Sequence, residues 1–373
     1  MLDVNLEKFW EADEKAHLEN TFYEGSPQVA LGIRMNHECV FPEINAEGDP
    51  WGYTPNHVQN ALNKRYNDKA EKIVGKRLLR ENLPEKDMLL PEVKKIGEVF
   101  GGRYEISKEA GEWLHSDITT EKQLEDVLDR VDKLDLREFI LPNNWESEKK
   151  RVFEKYGLKP KQFRAIRGPV TLAMSIFGVE NLIYLHYDSP ELYKRFSDSI
   201  AKVAIEMAEI MDIEAGYTKD NAPGGFHFSD DNCCMLTAEM YEEFGYPVLK
   251  SIFDRFSPNL NDQRYQHSDS EMAHLLPVLS KLNFTGCNFG PTVLVPEIRK
   301  YMKNTRIDGC IAPFTFLSND QDAIIAEVKR DCEDIKKEGT RGLNITTAGS
   351  INFGTTLESM RAVMYAIQVY GQY

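Results

Sequence analysis

The chain has 373 residues, 42% of them apolar and 28% charged, enough to bury a large core as one large domain or two ordinary ones, and this composition excludes a disordered chain. Its formal charge of −15 excludes a general binder of phosphate backbones, because nucleic-acid affinity rests on clustered Lys and Arg. No stretch approaches the roughly 20 apolar residues that span a bilayer, and the opening MLDVNLEKFWEADEKAH lacks the basic-then-apolar pattern of a leader, so a cytoplasmic, membrane-free protein is expected.

Taken in chain order, short apolar runs alternate with longer stretches of helical spacing, as βα units do. The first strand is expected at 29–33, followed by Arg34, Met35, Asn36, His37, Glu38 and Cys39. Residues 60–135 are charged and irregular, and they read as a helical insertion or lid over a barrel mouth. Strands are then expected at 138–141 and 163–166. Ser189 and Pro190 open a helix whose Leu192, Phe196, Ile200, Val203, Met207 and Ile210 recur every three or four residues, with Gly216 closing it. A strand at 225–228 precedes a helical unit over 237–247, and another strand at 262–266 precedes a helix starting at Ser268, with Glu271 at capping-box spacing and Pro277 kinking it. Strands at 286–289, 308–312 and 342–346 complete a set of about eight. The expected fold is α/β, a (β/α)8 TIM-type barrel in a single domain over 1–373.

In a parallel barrel the chemistry sits where strands end. The polar residues placed there are Arg34, Asn36 and Glu38 after the first strand, then His227 and Asp230, then Tyr265, His267 and Asp269, and finally Asn288 and Ser350. His267 stands between a strand end and an expected helix start, where orphan N–H groups favour negative charge; such a histidine serves as metal ligand, general acid or anion contact, or hydrogen-bonds its own loop. Asp230 is a candidate acid or a helix cap. Arg34 neutralises a substrate carboxylate or closes an ion pair. The six cysteines are dispersed, and the adjacent Cys233 and Cys234 fit packing better than zinc, so no disulfide framework or zinc ribbon is encoded. No glycine-rich phosphate loop of either common type occurs.

From about Phe163 onward the chain resembles the uroporphyrinogen decarboxylase superfamily, which also contains corrinoid-protein methyltransferases. The resemblance is carried by Gly168-Pro169-Val170-Thr171-Leu172-Ala173, Asp188-Ser189-Pro190-Glu191-Leu192, Glu214-Ala215-Gly216, Glu242-Glu243-Phe244 with Tyr246-Pro247, His267, and Thr346-Thr347-Ala348-Gly349-Ser350. The decarboxylases proper carry Arg-Gln-Ala-Gly-Arg near the first strand. Here that stretch is Ile33-Arg34-Met35-Asn36-His37, which speaks against porphyrinogen chemistry. The methyltransferases bind zinc through His-x-Cys and a later Cys. This chain has His267-Ser268-Asp269 and Ser350 instead, which leaves His267 with oxygen ligands, Asp269 and Glu38, for zinc or another divalent ion, or a metal-free acid and base.

The resemblance thus implies a methyltransferase that demethylates a methoxylated, aromatic small molecule and passes the methyl group to cobalt. His267, Asp230 or Tyr265 would be the acid, with Arg34, Asn36, His227, Asn288 and Ser350 as substrate contacts. No cobalamin-binding Asp-x-His-x-x-Gly motif occurs, so the cobalamin would arrive on a separate corrinoid protein. A decarboxylase or lyase of a small carboxylated substrate and a non-catalytic binding module are the alternatives, and a homodimer stays open.

Overall fold

The computed structural model describes residues 2–107 and 111–373. Nine strands occur among them: β1 Ala30–Leu31, β2 Arg103–Ser107, β3 Gly111–His115, β4 Ala165–Arg167, β5 Phe226–Ser229, β6 Arg264–Ser268, β7 Gly286–Phe289, β8 Arg306–Ile311 and β9 Leu343–Thr347. β2 and β3 form an antiparallel hairpin, and the other seven belong to the parallel βα repeat. The fold is α/β and of the TIM-barrel type. No helix of the described residues is long and apolar enough to cross a membrane.

The chain divides into two compact units. The first comprises Met1–Leu83, His267–Leu276 and Asn283–Tyr373. Its parallel ladder runs β1, β9, β8, β7, with Ala30 opposite Asn344, Ile307 opposite Leu343 and Gly286 opposite Arg306. Leu343, Ile345 and Thr347 are buried on one face of β9 while Asn344 and Thr346 are half-buried on the other, the period of two expected of a strand. Asn344 donates to Asp308, which also takes a two-point contact from Arg306. Helices Gln321–Lys337 and Leu357–Tyr370 pack on each other, each started by a side-chain cap, Asp320 and Thr356. In the same unit, helix Asn56–Val74 carries Asn60, Asn63 and Asn67 at helical spacing. Their amides hold the extended segment 78–83 through Leu78, Leu79, Arg80 and Leu83.

The second unit comprises Pro84–Gln266 and Pro277–Leu282. Its long helix Pro190–Glu214 buries Leu192, Phe196, Ile200, Val203 and Met207 as the spacing predicts, and Gly216 lies just beyond its end with φ +84. Ser189 stands before Pro190 but gives no cap to the helix; its hydroxyl donates to Glu121 at 2.6 Å. The helix packs on Ala238–Phe256 through Phe196 and Phe244, ring centroids 5.8 Å apart, and through Ser197 donating to the Phe244 carbonyl. Glu214, in the Glu-Ala-Gly motif, is buried and takes Trp145 at 2.7 Å together with Arg137 and Lys149. Burial pushes its carboxyl up, but these donors outweigh it and hold it below the ordinary range.

Two expected elements are different. Residues 138–141 are not a strand: Asp135 accepts from the Glu138 N–H and starts the helix Leu136–Ile140. No helix starts at Ser268 either. β6 runs through Ser268, whose hydroxyl meets that of Ser270 at 2.9 Å, and the next helical turn begins at Ala273. Pro277 lies within the short helix Leu276–Leu279 rather than kinking a longer one. The irregular stretch 60–135 contains helices Asn56–Val74 and Glu121–Val131 and also the β2–β3 hairpin, which no helical reading provides.

Candidate active site

In the first unit, His267 is the penultimate residue of β6 and is held at both ring nitrogens. Nδ1 lies 2.7 Å from Asn288 Oδ1, and Nε2 lies 2.9 Å from Asp269 Oδ1. The amide of Asn288 settles the tautomer. Its Nδ2 donates to the carbonyls of Asp308 and Thr347, so its oxygen must face His267, and Nδ1 must carry the proton. Nε2 therefore meets a carboxylate either as a charged N–H or, when neutral, as a lone pair. A neutral ring would set that lone pair against the Asp269 oxygen, and a proton or a cation on Nε2 would lie between the two.

Asp269 is half-exposed, whereas the His267 ring is 23% exposed. Gly349, after β9, makes room for the carboxylate: a Cβ there would stand 2.8 Å from Asp269 Oδ1, and its φ of +127 is one that side chains rarely adopt. The adjoining Ser350 is exposed. Asn36 works as a local cap, its oxygen accepting from the N–H groups of Glu38 and Cys39 while its Nδ2 donates to the Ile351 carbonyl. Glu38 is half-buried and does not come within ligand-sharing reach of His267 and Asp269. Arg34 is exposed. The Cys39 thiol is pushed up to about 12 by burial, so it stays protonated.

In the second unit, Asp230 is fully buried at the N-terminus of helix Pro169–Phe177. Its Oδ1 accepts the Thr171 N–H at 2.8 Å, and Oδ2 has no hydrogen-bond partner. Burial pushes its carboxyl up to about 6, against the hydrogen bonds from Thr171 and Val170. His227 meets Tyr265 with ring centroids 4.9 Å apart and planes tilted by 33°, and its Nε2 lies 3.3 Å from the Ser229 hydroxyl. Two groups that spacing alone overlooked are Gly168, whose lack of a side chain admits Asp230, and the asparagine triplet on helix Asn56–Val74. The triplet's spacing of three and four was the legible signal.

The raised carboxyl of Asp230 makes stability depend on pH. Its folded value lies above the unfolded one of about 3.9, so the folded state keeps a proton that the unfolded chain has lost. Its stabilising share is complete below the unfolded value and falls as pH rises through the folded one, by up to about 3 kcal/mol. Asp230→Asn keeps an oxygen for the Thr171 N–H and removes the titration. Chemical denaturation at steps between pH 4 and pH 7 should show the wild type losing ground to the variant as pH rises; parallel curves would refute the assignment.

Comparisons with known proteins agree with this architecture. The family described as Uroporphyrinogen decarboxylase (URO-D) matches residues 150–370. A curated protein from Methanosarcina barkeri (strain Fusaro / DSM 804), the methylcobamide:CoM methyltransferase MtaA, is 26% identical over 225 residues, 59% of this chain. The match spans 62% of that relative's length. A solved structure, a methyltransferase from Methanosarcina mazei, is similar with a TM-score of 0.57 at 17% identity, over 92% of this chain and 94% of that one. That likeness is one of fold. The family match covers more than half of the sequence, and the chain belongs to the uroporphyrinogen decarboxylase family.

Proposed function

We propose that this chain is a methyltransferase that takes a methyl group from a methoxylated aromatic compound and delivers it to the cobalt of a separate corrinoid protein. The observation that carries the reading is His267, with Nδ1 fixed by Asn288 and Nε2 set against Asp269, in a chain similar to a methylcobamide:CoM methyltransferase. Loss of a methyl group from an aryl ether breaks a carbon–oxygen bond whose electrons stay on oxygen, so the leaving phenolate gains from a proton or a cation. The imidazolium of His267 supplies that proton at Nε2, and Asp269 Oδ1, 2.9 Å away, fixes the direction in which Nε2 points. The methyl carbon goes to cobalt(I) of the corrinoid protein, the co-substrate, whose electron pair forms the new bond.

Nε2 and the carboxylate oxygen are also spaced as neighbours in one coordination shell, about 3 Å apart, and the Asn288 contact is the outer hydrogen bond that metal-bound histidines use. Zinc or another divalent ion held there would supply Lewis acidity to the leaving oxygen. An all-oxygen and imidazole donor set suits an ether or phenol better than thiol activation, which draws on thiolate-bound zinc.

The test is spectroscopic. Purified protein, chemically reduced corrinoid and a panel of methoxyarenes should convert the cobalt(I) spectrum into that of methylcobalt. No methylcobalt from any methoxyarene would refute the reading, and demethylation of methylcobalamin by thiols alone would move the substrate to the thiol class.

A further inference from the structure

Within the first unit, a cavity of about 400 Å³ opens beside the turn His37–Cys39, large enough for a small organic molecule. Its wall combines His37, Thr54, Gln59, Asn63 and Arg80 with apolar carbon such as Leu79, and among the described residues no Asp or Glu lines it. In a chain of net charge −15 that is a local exception. Arg80 makes no ion pair among the described residues.

The segment bearing this guanidinium is built rather than loose. Gln59 and Asn63 are nearly fully buried, Gln59 donates to Asn63 at 2.7 Å, and Asn63 donates in turn to the Arg80 carbonyl at 2.7 Å. Asn67 grips the backbone at Leu78 and Leu79 from one side, and Asn60 grips Leu83 from the other. Three buried or half-buried amides thus fix the backbone of an arginine whose own charge is left unspent. A planar guanidinium so placed matches a carboxylate at two points. Beside the wall, Trp51, flanked by the lining residues Pro50 and Gly52, meets Phe353 with ring centroids 5.1 Å apart and planes tilted by 45°, and both rings remain partly exposed.

We propose that this cavity binds the carboxylate of a small aromatic acid, with Arg80 as the charge partner and the asparagine triplet as its support. The carboxylate follows from the cavity itself; the aromatic ring rests on the methoxyarene reading above. Arg80 is here a substrate-binding residue.

Calorimetric titration with benzoate and with benzamide, its uncharged isostere, tests this without any turnover. The wild type should bind benzoate at least about tenfold more tightly, and high salt should narrow the gap because Arg80 is exposed. Arg80→Gln should abolish the preference and Arg80→Lys restore part of it. Equal or absent binding of the two probes, or a preference that survives Arg80→Gln, overturns the proposal. Thermal melting of each variant excludes a folding defect. If benzoate binds as expected but no methoxyarene yields methylcobalt, the methyl-transfer reading fails and the site stands; if methoxyarenes react with no regard to a carboxylate or to Arg80, the reverse holds.

Discussion

Replacing His267 by alanine should slow methyl transfer to the corrinoid about a thousandfold, with the fold intact. The magnitude is that of removing a positioned acid, 10²–10⁴-fold, because among the described residues of the first unit no other proton donor shares its two-sided hold by Asn288 and Asp269. The ring is 23% exposed and its removal opens no sealed cavity, so thermal stability should change little. Asn288→Ala is the informative companion. It frees the ring to choose the other tautomer and should cost about 10–100-fold, the usual loss when an outer hydrogen bond of this kind is cut. The two losses should not add, since Asn288 reaches the leaving oxygen only through His267, while its bonds to the Asp308 and Thr347 carbonyls bear on stability and are followed by thermal melting. If Asn288→Ala is as slow as His267→Ala, or if His267→Ala retains full activity, the assignment of the acid is refuted. Elemental analysis separates the two forms of the proposal: a stoichiometric divalent ion lost on His267→Ala places His267 as ligand, and an ion-free active wild type places it as acid.

Much of this site could be read from residue order alone, for a physical reason. Strands of a parallel barrel are short and buried, and their ends are punctuated by polar residues that have nowhere else to go. His267, Asp269 and Asn288 were legible in that way. Their roles were not: Asn288 looked like a substrate contact, but it spends both amide hydrogens on the Asp308 and Thr347 carbonyls and its oxygen on His267. Such a choice depends on three chain segments meeting, which no local pattern records. The same limit explains the two misplaced elements. Residues 138–141 read as Glu-Phe-Ile-Leu, a β-prone run, but Asp135 three residues ahead supplies a helix cap. Ser268 and Glu271 have capping-box spacing, yet Ser268 is taken up by β6 and by Ser270. Of the motifs that carry the family resemblance, Glu214 is scaffold, anchored by Trp145, Arg137 and Lys149. Arg80 illustrates the opposite case, a functional candidate inside a stretch that composition marks only as a charged excursion.

Gly168→Ala should be among the most damaging single-methyl changes in the second unit, costing about 4 kcal/mol. The backbone is not the reason: Gly168 has φ −61 and ψ 159, which alanine adopts freely. The reason is a side chain. A Cβ at this position would lie 2.2 Å from Asp230 Cβ and 2.3 Å from its Cγ, and Gly168 cannot retreat because its N–H is bonded to the Ser229 carbonyl at 2.7 Å. Asp230 is fully buried and must shift, so overpacking of about 1–3 kcal/mol adds to the loss of its hold on Thr171, a helix cap worth about 1–2 kcal/mol. Equilibrium denaturation measures the sum, and a double-mutant cycle identifies its source. In an Asp230→Gly background the cap is already gone, and with it the three atoms nearest the new methyl group, so Gly168→Ala should there cost under about 1 kcal/mol. If the cost is the same in both backgrounds, the glycine is required by something other than Asp230, and the Gly-Pro-Val-Thr motif needs a different explanation from the docking of this buried carboxyl on the helix that the motif begins.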